Sequence, residues 1–198
     1  MMCRIQPAER GKPAMPFRTL AAPGLAALLV LLPARQAYAQ PALRITGYGE
    51  FTVSRELGVR DPSTVEGDTE PVRTVDGVQI VQQTQHIEAR LCRRFGISFM
   101  LEGLETGSIL DVTIQTRHPA ITRPDGRVTT GVRYPSSVSA GRPGWVGYTF
   151  DYAYELVPGT WSFAILSGGD VLAKQQFEVT VPPDLDQQAP GRCAALVS

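Results

Sequence analysis

Between Val146 and Leu156 the large apolar side chains all fall on even positions. Val146, Tyr148, Phe150, Tyr152, Tyr154 and Leu156 alternate with Gly147, Thr149, Asp151, Ala153 and Glu155. Successive side chains of a strand point to opposite faces, so this run makes one large apolar face and one small or polar face. A helix would scatter the same rings around its axis. A run this long is expected to bend or break near Asp151. Val157-Pro158-Gly159-Thr160 then forces a corner, because proline fixes φ and glycine tolerates positive φ.

The same parity constrains the next two runs. Trp161, Phe163 and Ile165 alternate, Ser167-Gly168-Gly169-Asp170 signals a hairpin, and Phe177, Val179 and Val181 share a face on the return. A two-residue Gly168-Gly169 turn in plain register would set Trp161 opposite Gln176. A three-residue loop from Gly168 to Asp170 sets Trp161 opposite Phe177 and Phe163 opposite Gln175. An odd loop or a bulge is therefore needed to gather the apolar groups on one face, and the odd loop is the preferred reading. Pro182-Pro183 ends the strand, since neither residue can donate to a ladder.

The first 39 residues read as an address. Arg18 gives a short positive region, Leu20 to Leu32 is apolar, and Ala37-Tyr38-Ala39 is a small-residue cleavage signal, so a signal peptide cut before Gln40 is expected. The apolar core is short for a membrane span, so none is expected after cleavage. Met1 to Ala14 is polar, and Met15 is an alternative start. Residues 40–182 are then a single domain and 183–198 a tail. The leader holds five basic residues and one acidic one in a chain of net charge 0, so residues 40–198 carry a formal −4. That balance argues against non-specific nucleic-acid binding. A periplasmic or secreted location is expected from the leader. Cys92 and Cys193 remain after it, and an oxidising compartment would let them pair. Pairing and two free thiols are both open from two cysteines alone.

From its start, the domain opens with a strand over 43–53 whose glycines suggest a bulge or close backbone approach. Leu57 to Val75 reads as an exposed loop in which Glu66, Asp68 and Glu70 form a solvated acidic run rather than a calcium site. Asp76-Gly77 reads as a hairpin turn, and Val78 to Ala89 as one strand of mixed face, suited to an edge. Phe95 to Leu101 and Ser108 to Thr116 are strands, the second ended by His118-Pro119. Pro124-Asp125-Gly126 is a turn, Arg127 to Tyr134 a weak strand, and Pro135 to Gly144 a linker. Seven to nine short strands with almost no helical period argue an all-β antiparallel sandwich, with an eight-stranded barrel as the alternative.

Three pieces of the chain together resemble a family of exported bacterial proteins, domain of unknown function 3859. They are Gly47-Tyr48-Gly49, the block from Glu88 to Phe99 (EARLCRRFGISF) with His118-Pro119, and the block from Glu155 to Phe163 (ELVPGTWSF) with Phe177-Glu178-Val179. The resemblance implies an immunoglobulin-like β-sandwich and an exported address, and it supplies no catalytic residues. The closing block also resembles the corner between the fifth and sixth strands of fibronectin-type modules, but Ser162 stands where the corner tyrosine is expected.

Chemistry is sparsely signalled. His86 and His118 are the only histidines and neither has a partner at metal-ligand spacing, so no metal and no cofactor are expected. There is no nucleophile elbow, phosphate loop or dinucleotide fingerprint. Tyr148, Phe150 and Phe163 read as core. Trp145 has the opposite parity and comes after a flexible stretch, which makes it the candidate exposed contact residue. Two readings remain. The first is a non-catalytic binding or structural domain of the cell envelope, with a protein or envelope component as partner. The second is a hydrolase or metal-dependent enzyme with a loop-built site near His118 and Asp125.

Overall fold

The structure is a computed structural model and describes residues 40–59, 66–67, 72–183 and 193. Strands form where the alternation predicts them and assemble into two main sheets. The four-stranded sheet holds β1 (Ala42–Thr52), β5 (Gln79–Gln82), β7 (Arg94–Glu102) and β10 (Pro143–Thr149), in the order β10-β7-β1-β5. The six-stranded sheet holds β3 (Glu66–Gly67), β6 (His86–Glu88), β8 (Ile109–Thr122), β9 (Val128–Ser139), β11 (Gly159–Ser167) and β12 (Asp170–Thr180). Its order is β3-β9-β8-β11-β12-β6. A separate ribbon pairs β2 (Arg55–Val59) with β4 (Arg73–Asp76). The assigned pairs are antiparallel except β6 beside β12. Two sheets with distinct edges exclude the closed barrel.

The core lies between these sheets and is centred on Phe95. Its ring stands 5.4 Å from Phe150, 5.7 Å from Trp161, 5.5 Å from Phe163 and 5.3 Å from Phe177. Phe95, Ile97, Phe99 and Leu101 are buried in phase along β7, as their alternation requires. Each such ring stabilises the fold by about 2–3 kcal/mol through burial alone. Phe150 is fully buried and Tyr148 packs at the margin of this cluster, 4.8 Å from Trp161, so these rings are core as expected, whereas Tyr152 stands outside it, stacked on Tyr154.

The closing hairpin has the expected pairing by a different device. Trp161 faces Phe177 and Phe163 faces Gln175, but Ser167 pairs directly with Asp170. The turn is therefore the two residues Gly168 and Gly169, at φ +58° and +96°, a conformation that favours glycine. The odd residue is supplied by a bulge at Leu172, where the register shifts between Ile165 and Leu166.

Other expectations need correction. Asp76-Gly77 is not a hairpin turn: β4 pairs with β2 and β5 with β1, so the dipeptide is a corner between sheets. Val78 to Ala89 is two strands, because the chain leaves one main sheet after Gln82 and joins the other at His86; both pieces are edges. His118-Pro119 does not end β8. The strand bulges between Arg117 and Ile121 and runs on to Thr122. Most of the Pro135–Gly144 linker is strand, since Pro135 to Ser139 continues β9 opposite Thr113 to Ile109 and Pro143 and Gly144 begin β10. The expected loop over 57–75 contributes β2, β3 and β4. Together with the divided strand, these short pieces raise the count above nine. Asp68, Glu70, the leader 1–39 and most of the 183–198 tail lie outside the described residues.

Candidate functional site

The four-stranded sheet ends at β10, whose outer edge carries no partner strand among the described residues. Odd and even residues of β10 point to opposite faces, so the strand presents two surfaces at this seam. Val146 and Tyr148, opposite Ile97 and Phe95, face the core. Trp145 and Gly147, opposite Ser98 and Gly96, face outward. Phe51 from β1 lies over that outer face, with its ring 5.0 Å from Trp145. It can do so because residue 147 is glycine: a Cβ there would stand 2.6 Å from Phe51 Cε1. Trp145 is thus half-buried rather than exposed, a correction with a direct cause, the ring supplied by β1.

A cavity of about 150 Å³ wraps the β10 edge. Phe51, Trp145, Gly147 and Arg94 line it from the outer face, and Val146, Tyr148, Thr116 and Glu155 from the inner one. Tyr134 of β9 and Arg73 and Val75 of β4 complete the wall. Apolar and aromatic surface with a few charged groups is the usual make-up of a ligand pocket.

The charges are paired in a chain. Arg73 Nη1 lies 2.5 Å from Asp151 Oδ2, and Arg73 Nε lies 3.7 Å from Glu56 Oε2. Arg94 Nη2 lies 3.4 Å from the other oxygen of Glu56. Burial opposes the Arg73 charge, but the bond and charge of Asp151 outweigh it and its pKa stands raised.

Glu155 is different. It closes a 3-10 turn (Ala153–Glu155) directly after β10, is 2 % exposed, and its Oε2 accepts the backbone N–H of Asp151 at 2.6 Å and of Tyr152 at 3.0 Å. A carboxylate reaching back to the N–H groups of its own turn is half of a capping box. Burial pushes its pKa up to about 7. The two N–H bonds and the Tyr148 hydroxyl pull it back, and the nearby Asp151 charge adds to the rise.

Cys92 and Cys193 are bonded, which closes the alternative of free thiols. Both hook onto the segment that leads into the turn: Cys92 N–H donates to Phe150 O at 2.9 Å and Cys193 N–H to Asp151 O at 2.8 Å. The staple therefore holds the corner that carries Asp151 and Glu155.

The residues of the enzymatic reading are not assembled. His118 is buried in the β8 bulge, its ring 4.8 Å from Trp161 and its Nδ1 2.7 Å from Pro119 O. Asp125 sits in the exposed β8–β9 turn, bonded to Arg127 through both Nε and Nη2. The shallow depression beside His118 is lined from 115 to 118 and from 130 to 133, a set without a carboxylate. Among the described residues no three His, Cys, Asp or Glu side chains are grouped to hold a metal. Of the residues the cavity does use, Arg73 carries no sequence motif, and Glu155 opens the Glu155–Phe163 block with no role attached to it. The nearest signal is an acid placed to cap a turn behind a strand.

The family model of a domain of unknown function, DUF3859, matches residues 50–179. The chain belongs to this family. The matched DUF3859 region takes in β10, the Glu155 turn and Cys92, while Gly47-Tyr48-Gly49 and Cys193 lie outside it. Among solved structures the chain is similar to an immunoglobulin-like protein from Pseudomonas aeruginosa, at 24 % identity over 73 % of this chain and 99 % of that one, with a TM-score of 0.52. This establishes an immunoglobulin-like fold and nothing about role. A match to an alkylpurine DNA glycosylase of Pseudomonas fluorescens bound to DNA containing an abasic site analog has 20 % identity and a TM-score of 0.31. It covers 48 % of this chain and 27 % of that one, and carries no argument. Among curated proteins none matches.

Proposed function

We propose that this DUF3859 chain is an exported, non-catalytic binding domain of the cell envelope that takes a protein partner at the β10 seam. The observation that carries this is the seam itself. An edge strand with no partner among the described residues runs beside a cavity lined by Trp145, Phe51, Tyr148 and an ion-paired arginine. An unpaired edge offers backbone donors and acceptors, and the adjoining pocket offers side-chain selectivity. Half-buried Trp145 is a suitable anchor, since tryptophan is enriched among residues that dominate binding energy. Export is supported by the leader pattern ending at Ala39 and by a disulfide, a bond that persists in oxidising compartments.

Site-specific photocrosslinking tests the reading. A photoreactive aromatic residue, which keeps a large ring at the anchor position, replaces Trp145 at the seam or Val171 at the distant hairpin tip, which is 56 % exposed. After export from a bacterial host, a discrete protein adduct at position 145 and none at 171 is the expected result. The same adducts at both positions, or none at 145, would overturn the assignment of the seam.

A further inference from the structure

Three carboxylates and two guanidiniums line the seam cavity: Glu56, Asp151 and Glu155 against Arg73 and Arg94. Arg73 is held by Asp151 and Glu56, and Arg94 by Glu56. Among the described residues no cation pairs with Glu155, the most deeply buried of the three carboxylates. Whenever Glu155 is ionised, the cavity therefore carries one more negative charge than it balances, and that charge has left water. An uncompensated buried charge is costly, and a ligand that brings the opposite charge removes the cost.

The surroundings narrow the cation. Oε2 of Glu155 already accepts two N–H groups and the Tyr148 hydroxyl stands at the same carboxyl, so a guanidinium fork would not find two open oxygens, whereas an ammonium needs only a single contact. The rings of Phe51, Trp145 and Tyr148 offer faces that attract a cation and cover an apolar arm. A cavity of about 150 Å³ has room for a short unbranched chain. An anion would meet the wrong sign of charge, and a neutral ligand would leave Glu155 unanswered.

We propose that the seam cavity binds a primary ammonium on an unbranched aliphatic arm, with Glu155 as counter-ion and Phe51, Trp145 and Tyr148 enclosing the arm. This deepens the reading of the seam as a partner site and rests on it. The ammonium comes either from a lysine side chain of the partner or from a free alkylamine.

The test titrates the oxidised chain, purified after export, with pentylammonium, with an end-blocked lysine peptide and with neutral 1-pentanol, following carboxyl and amide NMR signals. Saturable shifts at Glu155, Tyr148 and Trp145 are expected with the two amines and none with pentanol. Glu155→Gln keeps an acceptor for the two N–H groups but loses the charge, and should weaken amine binding at least tenfold. Trp145→Ala, at a half-buried surface position, should weaken it as well and serves if the first variant does not fold. Tighter binding of the peptide assigns the source to a lysine side chain, and tighter binding of pentylammonium assigns it to a free amine. Equal binding by pentanol, unchanged affinity in folded Glu155→Gln, or no saturable shift with either amine would overturn the proposal. An adduct at position 145 without amine binding would remove the ammonium and leave the partner site standing. Amine binding through Glu155 without an adduct would do the reverse.

Discussion

Glu155 couples the folded state to pH through burial, and its two environments set the sign. In the unfolded chain it titrates near the ordinary 4.5, and in the fold burial pushes it to about 7. The fold therefore favours the protonated form. The stability this adds is complete below the unfolded value and is lost as pH rises through the folded one. The loss across that window comes to about 3 kcal/mol. Asp76, Glu88 and Asp125 do not compete there. Hydrogen bonds from Arg55, Arg90 and Arg127 hold them below the ordinary range, so their contributions are lost only in acid. The charge that acts on Glu155 is Asp151, just before its turn, and Arg73, Glu56 and Arg94 line the same cavity. Urea unfolding followed from pH 5 to pH 8 should show the wild-type midpoint falling and the Glu155→Gln midpoint nearly level. Parallel slopes for the two proteins would refute the assignment. The sequence shows an acid at this position. Only packing shows that it is buried without a cation among the described residues, because burial depends on what β8 brings against its turn.

Parity made the closing hairpin legible at the level of the element, while the device that satisfies it was not. The apolar faces of β11 and β12 must coincide, and an odd number of residues between them is the condition. A longer loop and a bulge meet that condition equally well in one dimension. The twist of the two strands favours a tight turn with two positive φ angles, which Gly168-Gly169 provides, and the odd residue moves into β12. Deleting Leu172 should remove the bulge and keep Trp161 opposite Phe177, at a cost of about 1–2 kcal/mol for a half-buried leucine. Deleting Gln175 also restores a continuous ladder, but it turns Lys174 toward the core face and buried Ala173 away from it. That variant should be far less stable, or unfolded, by urea denaturation. Comparable midpoints for the two deletions would show that the face of this hairpin is not what the core requires.

For the whole molecule, the long-range tie is the disulfide between residues 101 apart. A loop of that length restricts the unfolded chain and adds about 2–4 kcal/mol. Because both cysteines bond to Phe150 and Asp151, its loss should also loosen the corner that carries Glu155. Reductant and the double change Cys92→Ser with Cys193→Ser should lower the urea midpoint alike, and the amides of residues 150–156 should exchange faster in both. A midpoint indifferent to reductant would show that the bond adds nothing. The sequence by itself determined that this chain is built of strands, that Tyr148, Phe150 and Phe163 belong to a common interior, and where the hairpin faces must meet. Those properties are local, because side-chain direction alternates with residue number along any strand. Tertiary structure alone decided that residues 78 to 89 serve two sheets, that Trp145 lies under Phe51, that the two cysteines meet, and that Arg73, Asp151 and Glu155 surround one cavity. Each of these depends on which distant strand packs alongside, and the period of a single strand carries no record of its neighbours.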